Sequence, residues 1–208
     1  MRALIAVALL GLGCSDSLLV SEPPPVASPP EQIEDGTGNP PDFNACSTSY
    51  FAQYFNLSGG HPDVGEEPDP DAAPVVDPDW WDVERLAFQR TDPTLTFGES
   101  WWPVDEGLAG DPAAFAVRWN AWLLADGDVE WAFALGARDD AEVFVDGASV
   151  AVVEAGDGYE PAEHRADVEG GRHTLEIRFA HRFGDADGMF FRSLTAEEDL
   201  QVCPPEFE

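Results

Sequence analysis

The sequence predicts an all-β domain, built as a two-sheet β-sandwich or barrel, from three features. Apolar and polar residues alternate over many short segments, which is the period of a half-buried strand. Gly, Asp and Pro separate these segments, and such residues favour turns. No stretch carries a convincing apolar stripe at i, i+3, i+4 and i+7, so no long helix is expected. Many short strands joined by turns are typical of two packed antiparallel sheets.

Residues 1–13 predict a cleavable signal peptide. Arg2 supplies the positive start, and residues 3–12 form a mostly apolar run of ten, which is too short to span a bilayer. The run ends in Leu-Gly-Leu-Gly before Cys14 and resembles the bacterial lipobox, whose cysteine is diacylated and becomes the N-terminus. An ordinary signal cut at another small-residue site is the alternative. The residue after the cysteine is Ser15 and not Asp, which resembles the outer-membrane sorting signal of lipoproteins in enteric bacteria. We therefore expect a lipoprotein anchored in the outer membrane rather than the inner one.

Residues 14–45 are predicted to be the lipid anchor and a disordered Pro-rich tether. Residues 15–45 hold seven prolines and no apolar periodicity, and such a chain reaches at most about 95 Å at ~3.1 Å per residue. The β pattern then fills a domain at 46–203, which has an acidic, Pro-rich loop at 58–82. Residues 204–208 form a tail, and there is no internal repeat or second domain.

Four of the predicted strands form two hairpins. Residues 115–124 alternate apolar and polar side chains, and residues 129–135 do so again. The Asp126-Gly127 pair between these two runs is a strong hairpin signal. The Asp146-Gly147 pair predicts a second hairpin within residues 142–153 for the same reason.

Further strands are expected on both sides of the hairpins. The β pattern begins at Tyr50, residues 82–89 are compatible with a short helical turn, and residues 189–194 form a late strand. Residues 173–179 alternate strictly and are expected to point three side chains inward: Leu175, Ile177 and Phe179.

The cysteines predict one disulfide. If Cys14 carries lipid, Cys46 and Cys203 remain, and an even remainder in an oxidising compartment indicates a bridge between them. Two buried free thiols are the alternative. The bridge would close a loop of more than 150 residues, which the chain-entropy model values at roughly 4–5 kcal/mol.

Charge and motifs argue against two classes of function. The chain has 41 acidic residues and 10 basic ones, all Arg, with a net charge of −31. Nucleic acids and anionic lipid surfaces bind through Lys and Arg, so neither is an expected partner. The chain has no G-x-S-x-G, H-E-x-x-H or P-loop motif, and its histidines lack metal-ligand spacing, so no enzyme activity is predicted.

Four segments occur in a fixed order: R-T-D-P-T-L-T-F (90–97), V-R-W-N-A-W-L (117–123), W-A-F-A-L-G-A-R-D-D-A-E-V-F-V-D-G (131–147) and G-R-H-T-L-E-I-R-F (171–179). Together they resemble the PA-14 family, a protective-antigen-type, lectin-like domain. The resemblance covers roughly residues 48–195 and implies a β-sandwich. Its most specific part is an acidic pair followed by Val-Asp-Gly, which the related fibro-slime domains also carry. Two departures flank that pair: Arg138 replaces the usual Ser, and Ala141 replaces Gly, which permits backbone angles that Ala does not.

The resemblance implies a calcium site at Asp139 and Asp140. In the sugar-binding branch of the family, the yeast flocculins and epithelial adhesins, a cis peptide joins this pair and both carboxylates bind one Ca²⁺. That ion also binds the sugar hydroxyls. Ca²⁺ takes six to eight oxygens, and the Asn that the family supplies is absent, so Asp185 and Asp187 are the candidate replacements. A solvated acidic turn is the alternative.

The expected function is carbohydrate binding through calcium by a surface-anchored lipoprotein, in adhesion or in a matrix. Trp101 and Trp102, like Trp80-Trp81, are candidate stacking faces for sugar rings, and a role as core or loop anchors is the alternative. Two other functions stay open: a structural or protein-interaction module without sugar binding, and an accessory module of a glycan-processing system.

Overall fold

The computed structural model of the chain describes residues 46–57, 78–98, 101, 114–153, 159–182 and 188–205. Cys14, the tether, Trp102, Asp185 and Asp187 lie outside these ranges. The described residues form the following strands: β1 (Tyr50–Asn56), β2 (Leu86–Asp92), β3 (Leu95–Phe97), β4 (Phe115–Ala125), β5 (Val129–Ala137), β6 (Asp140–Val145), β7 (Ala148–Val153), β8 (Ala162–Val168), β9 (Gly171–His181), β10 (Met189–Ser193) and β11 (Leu200–Cys203).

The strands form two antiparallel sheets, which confirms the predicted all-β class. The larger sheet has the order β2-β1-β4-β9-β6-β7, and the smaller one has the order β3-β10-β5-β8. Strand β11 pairs with the second half of β4, on the edge whose first half pairs with β1. Among the described residues, no helix is long and apolar enough to cross a membrane.

The core lies between the sheets and is rich in aromatic side chains. Trp119 of β4 faces it from the larger sheet, while Trp131 and Phe133 of β5 face it from the smaller sheet, all fully buried. Burying each such side chain contributes about 1.5–3 kcal/mol. The prediction for β9 is confirmed, because its three alternating apolar residues are at most 1 % exposed: Leu175, Ile177 and Phe179.

The predicted hairpin at Asp126-Gly127 is wrong. Strand β4 pairs with β9 along its whole length, whereas β5 pairs with β8 and β10 in the other sheet. The Asp126–Asp128 connection therefore crosses between sheets, and Asp128 Oδ1 accepts the Gly170 N–H at 3.0 Å. Two alternating runs look the same whether the strands pair edge to edge or face each other across a core, so the pattern could not separate these cases.

The second predicted hairpin, between β6 and β7, is confirmed. Asp146 and Gly147 have φ angles of 50° and 77°, and a type I′ turn requires positive φ at both central residues. Asp146 also fixes the turn to β9, since its Oδ1 accepts the backbone N–H of Thr174 at 2.8 Å. Its Oδ2 lies 2.7 Å from Nδ1 of His173.

The disulfide prediction is confirmed as well. Cys46 and Cys203 are bonded, with Cα atoms 5.5 Å apart. The bridge joins the residues before β1 to the end of β11, so it connects the first and last strands of the domain.

Two 3₁₀ turns, Pro78–Trp81 and Val83–Arg85, precede β2. The helical turn expected within residues 82–89 is thus limited to its first part, where Asp82 Oδ1 accepts the Glu84 N–H at 3.0 Å. The first turn packs Trp80 on Phe55 and Ala180, at the outer face of the larger sheet.

The motif at residues 90–97 contains a buried carboxylate that is hydrogen-bonded to three side chains. Asp92, at the end of β2, is only 4 % exposed. It accepts hydrogen bonds from Tyr54 Oη at 2.6 Å and Trp119 Nε1 at 2.9 Å. Arg90 Nε donates to its other oxygen at 2.7 Å, and Arg90 Nη2 donates to Tyr54 Oη at 2.9 Å. Burial and the Asp92 carboxylate both raise the pKa of Tyr54, so this hydroxyl stays a donor.

Candidate functional site

Asp139 and Asp140 lie where the chain passes from β5 in the smaller sheet to β6 in the larger one. They are only 2 % and 5 % exposed, respectively, so the alternative of a solvated acidic turn does not hold. A buried carboxylate is costly unless it is paired and hydrogen-bonded. The partners of these two side chains therefore decide what the site can do.

Both carboxylates are bound by Arg182, the residue after β9. Its guanidinium donates to Asp140 Oδ2 from Nε at 2.8 Å and also from Nη2. Its backbone N–H donates to Asp139 Oδ2 at 2.7 Å. The guanidinium carbon also lies 5.2 Å from the centroid of the Trp80 ring, within cation–π range. The Arg182 side chain is 10 % exposed.

His181 completes the cluster. It is fully buried, and its Nδ1 lies 3.5 Å from Asp139 Oδ2. Burial lowers the pKa of His181 to about 4, so the imidazole is neutral near pH 7. Arg182 is therefore the cationic side chain that this cluster contributes at neutral pH.

The described residues do not fit the calcium site that the resemblance implies. Asp139 Oδ1 accepts the Asp140 N–H at 3.2 Å, Asp139 Oδ2 accepts the Arg182 N–H, and Asp140 Oδ2 accepts the guanidinium. Within the described ranges, no three His, Cys, Asp or Glu side chains are grouped to hold a metal, and the Asp139–Asp140 peptide is trans. Calcium binding stays a prediction of the motif resemblance, whereas three carboxylate oxygens of the pair already accept hydrogen bonds within the chain.

Trp101, the other predicted ligand-binding residue inside the described ranges, packs into the core. Its ring stacks on Phe97 with centroids 3.9 Å apart and contacts Phe115 edge-on at 5.4 Å. It also lies 6.1 Å from Trp119. These contacts correspond to the core-anchor alternative, and the role of Trp101 in stacking on a sugar stays a prediction.

A hollow next to the acidic pair brings aromatic and charged side chains together on the outer face of the larger sheet. Its lining includes Trp80, Trp81, Asp140, Glu142 and Arg178. Glu142 of β6 and Arg178 of β9 are cross-strand neighbours.

Trp81 and Arg178 are the side chains best placed to contact a ligand in this hollow. Trp81 is half-buried, and its indole Nε1 has no hydrogen-bond partner among the described residues. The Arg178 guanidinium lies 5.6 Å from the Trp81 ring and 4.4 Å from that of Phe144, and it pairs with Glu176. Together they provide an aromatic surface and an ordered cation.

Sequence reasoning missed Glu142 and Arg178. Strand alternation places both on the face opposite Val143 and Ile177, which was readable from the sequence. The alternation does not show that the 3₁₀ turn Pro78–Trp81, from another part of the chain, brings the Trp81 ring close to Arg178. Trp81 itself was noted only as a possible stacking face.

Comparisons with known proteins bear on the fold. No protein-family model and no curated protein sequence matches the chain. Among solved structures, a PA14 sugar-binding domain from an RTX adhesin is 16 % identical and aligns over 74 % of this chain and 94 % of that one, with a TM-score of 0.54. The PA14 domain of the antifreeze protein MpAFP is 11 % identical over 76 % and 91 %, with a TM-score of 0.51.

These likenesses show that the chain carries a domain with the PA14-like fold. The resemblance inferred from the motifs is confirmed at that level. At such low identity the likeness concerns the fold, and function must be argued from the site.

Proposed function

We propose that the chain is a carbohydrate-binding module that uses the hollow at Trp81, Glu142 and Arg178. The observation that carries the proposal is the combination of side chains in this hollow, on a fold shared with a PA14 domain described as sugar-binding. Sugar rings present apolar C–H faces that stack on indole rings, and paired hydroxyls that bind charged groups. The hollow itself encloses only about 10 Å³, so a sugar would stack on the surface of the Trp81 ring beside it rather than enter a pocket.

Each of the three side chains has a role that its chemistry supports. The Trp81 ring supplies the stacking surface. The Glu142 carboxylate accepts hydrogen bonds from sugar hydroxyls, and the Arg178 guanidinium donates hydrogen bonds to hydroxyl oxygens. The pairing of Arg178 with Glu176 orders it before a ligand arrives, which reduces the entropy lost on binding.

Lipid anchoring at Cys14 is the second part of the proposal. The tether would hold the domain away from the outer membrane, where its ligand is a glycan of a neighbouring cell or matrix. This role uses no enzyme activity. It is supported by the apolar run that ends at Cys14 and by the Pro-rich composition of residues 15–45.

A glycan array tests carbohydrate binding, with two matched tryptophan variants. Trp81→Ala removes the stacking surface and should weaken binding by tenfold or more, since an aromatic contact contributes about 1.5 kcal/mol. Trp122→Ala is the control, because Trp122 is half-buried on the same face of the larger sheet. It lies four positions along β4 from Arg118, the strand neighbour of Arg178, or about 13 Å away.

Equal loss in both variants, or a blank array with folded wild-type protein, would refute carbohydrate binding at this hollow. A blank array together with binding to an envelope protein would favour the protein-interaction alternative. Glycan binding only in complex with a glycan-processing enzyme would favour the accessory role.

A further inference from the structure

We infer that Arg182 is the built-in cation of the Asp139–Asp140 site, and that this corner of the domain is ordered without calcium. The inference concerns metal dependence and does not rest on carbohydrate binding. It starts from the disagreement between the calcium site that the motif implies and the side chains that the fold brings to it.

Arg182 brings a positive charge to Asp140 and a backbone donor to Asp139. Its guanidinium binds Asp140 through Nε and Nη2, while its backbone N–H binds Asp139. One residue therefore contacts both members of the acidic pair. A divalent ion would have to share Asp140 Oδ2 with a guanidinium, and the two positive charges would repel each other at that distance.

The surroundings hold the guanidinium in place. Its central carbon lies 5.2 Å from the centroid of the fully buried Trp80 ring, and its side chain is 10 % exposed. Moving it out to admit a metal would break two charge-assisted hydrogen bonds and a cation–π contact together. Arg has a delocalised charge and a rigid donor fork, so it suits a half-apolar pocket better than a hydrated ion would.

The two carboxylates are satisfied by different groups. Asp140 is neutralised by the guanidinium, whereas Asp139 accepts the backbone N–H groups of Asp140 and Arg182 at 3.2 and 2.7 Å. This division links the start of β6 to the end of β9. A structural cation at the same place would link the same two strands. Arg182 provides this link through hydrogen bonds, from a residue that is already part of the chain.

The thermal midpoint of the whole protein in EDTA, magnesium and calcium tests the inference. The ions are used at about 10 mM, tenfold above the roughly 10⁻⁴–10⁻³ M affinities common outside cells. We expect calcium and magnesium to raise the midpoint equally, by screening the acidic surface. A calcium-specific rise in the wild type that Asp139→Asn with Asp140→Asn removes would overturn the inference.

Two arginine variants test the role of Arg182 itself. Arg182→Gln leaves the buried carboxylates without their cation, and we expect the midpoint to fall by about 6–20 °C. Arg192→Gln makes the same charge change at an exposed position of β10 and should shift it by no more than about 2 °C. Equal effects of the two variants would contradict the inference. If Arg182→Gln does not fold, the comparison of calcium with magnesium on the wild type still tests whether the Asp139–Asp140 site depends on calcium.

Discussion

Replacing Asp92 by Asn is expected to destabilise the domain strongly, because this carboxylate joins three side chains inside the core. It accepts hydrogen bonds from Tyr54, Trp119 and Arg90 at 2.6, 2.9 and 2.7 Å while only 4 % exposed. Asn has a single acceptor oxygen, and its amide group would face at least one of these donors. It would also break the ion pair between Arg90 and Asp92.

The expected cost is about 3–5 kcal/mol, the range for breaking a buried ion pair by removing one partner. For a domain of this size, that corresponds to a fall of roughly 6–20 °C in the thermal midpoint. Urea denaturation followed by Trp fluorescence measures the free energy directly. Glu130→Gln is the matched control, because Glu130 forms an ion pair with Arg165 in which both side chains are more than half exposed, and such pairs contribute about 0–1 kcal/mol. A loss below about 1 kcal/mol for Asp92→Asn would refute the reasoning.

Three further predictions follow from other parts of the chain. Replacing Cys46 and Cys203 by Ala should lower the free energy of unfolding by roughly 2–5 kcal/mol in urea titrations, and an unchanged value would contradict the role of the bridge. Burial raises the pKa of Asp146, but hydrogen bonds from His173 and Thr174 outweigh it, so the net pKa is lowered. The stability that Asp146 contributes is therefore present above the unfolded pKa of about 3.9 and lost as the pH falls through the folded value. The difference in thermal midpoint between wild type and Asp146→Asn should shrink from pH 5 to pH 2, and a constant difference would be inconsistent with it. Labelled palmitate should be incorporated into the wild type and not into Cys14→Ala, whereas a delipidated wild-type product that starts at another residue would disprove anchoring at Cys14.

Local patterns predicted the features that depend on one segment at a time. Alternation identified the inward face of β9, and Asp146-Gly147 identified a turn whose two residues both need positive φ. The same signals failed at Asp126-Gly127, because pairing depends on which other strands compete for each edge. Both edges of β4 are occupied, one by β9 and the other by β1 and β11.

The candidate site was predictable only in part. The motif located Asp139 and Asp140, and the resemblance suggested a cation for them. It could not show that the cation is the side chain of Arg182, 42 residues further along the chain from Asp140. That contact depends on β6 and β9 being neighbours in the larger sheet. The hollow likewise depends on Trp81 packing against Phe55, on the outer face of the larger sheet.

The most direct test is carbohydrate binding by the wild type, measured by titration calorimetry with the best glycan from the array, in EDTA and in calcium. We expect the same dissociation constant in both buffers and a loss of tenfold or more in affinity for Trp81→Ala, since the proposed site uses Trp81, Glu142 and Arg178 and no metal. Binding that disappears in EDTA and returns with calcium but not with magnesium would contradict this mechanism.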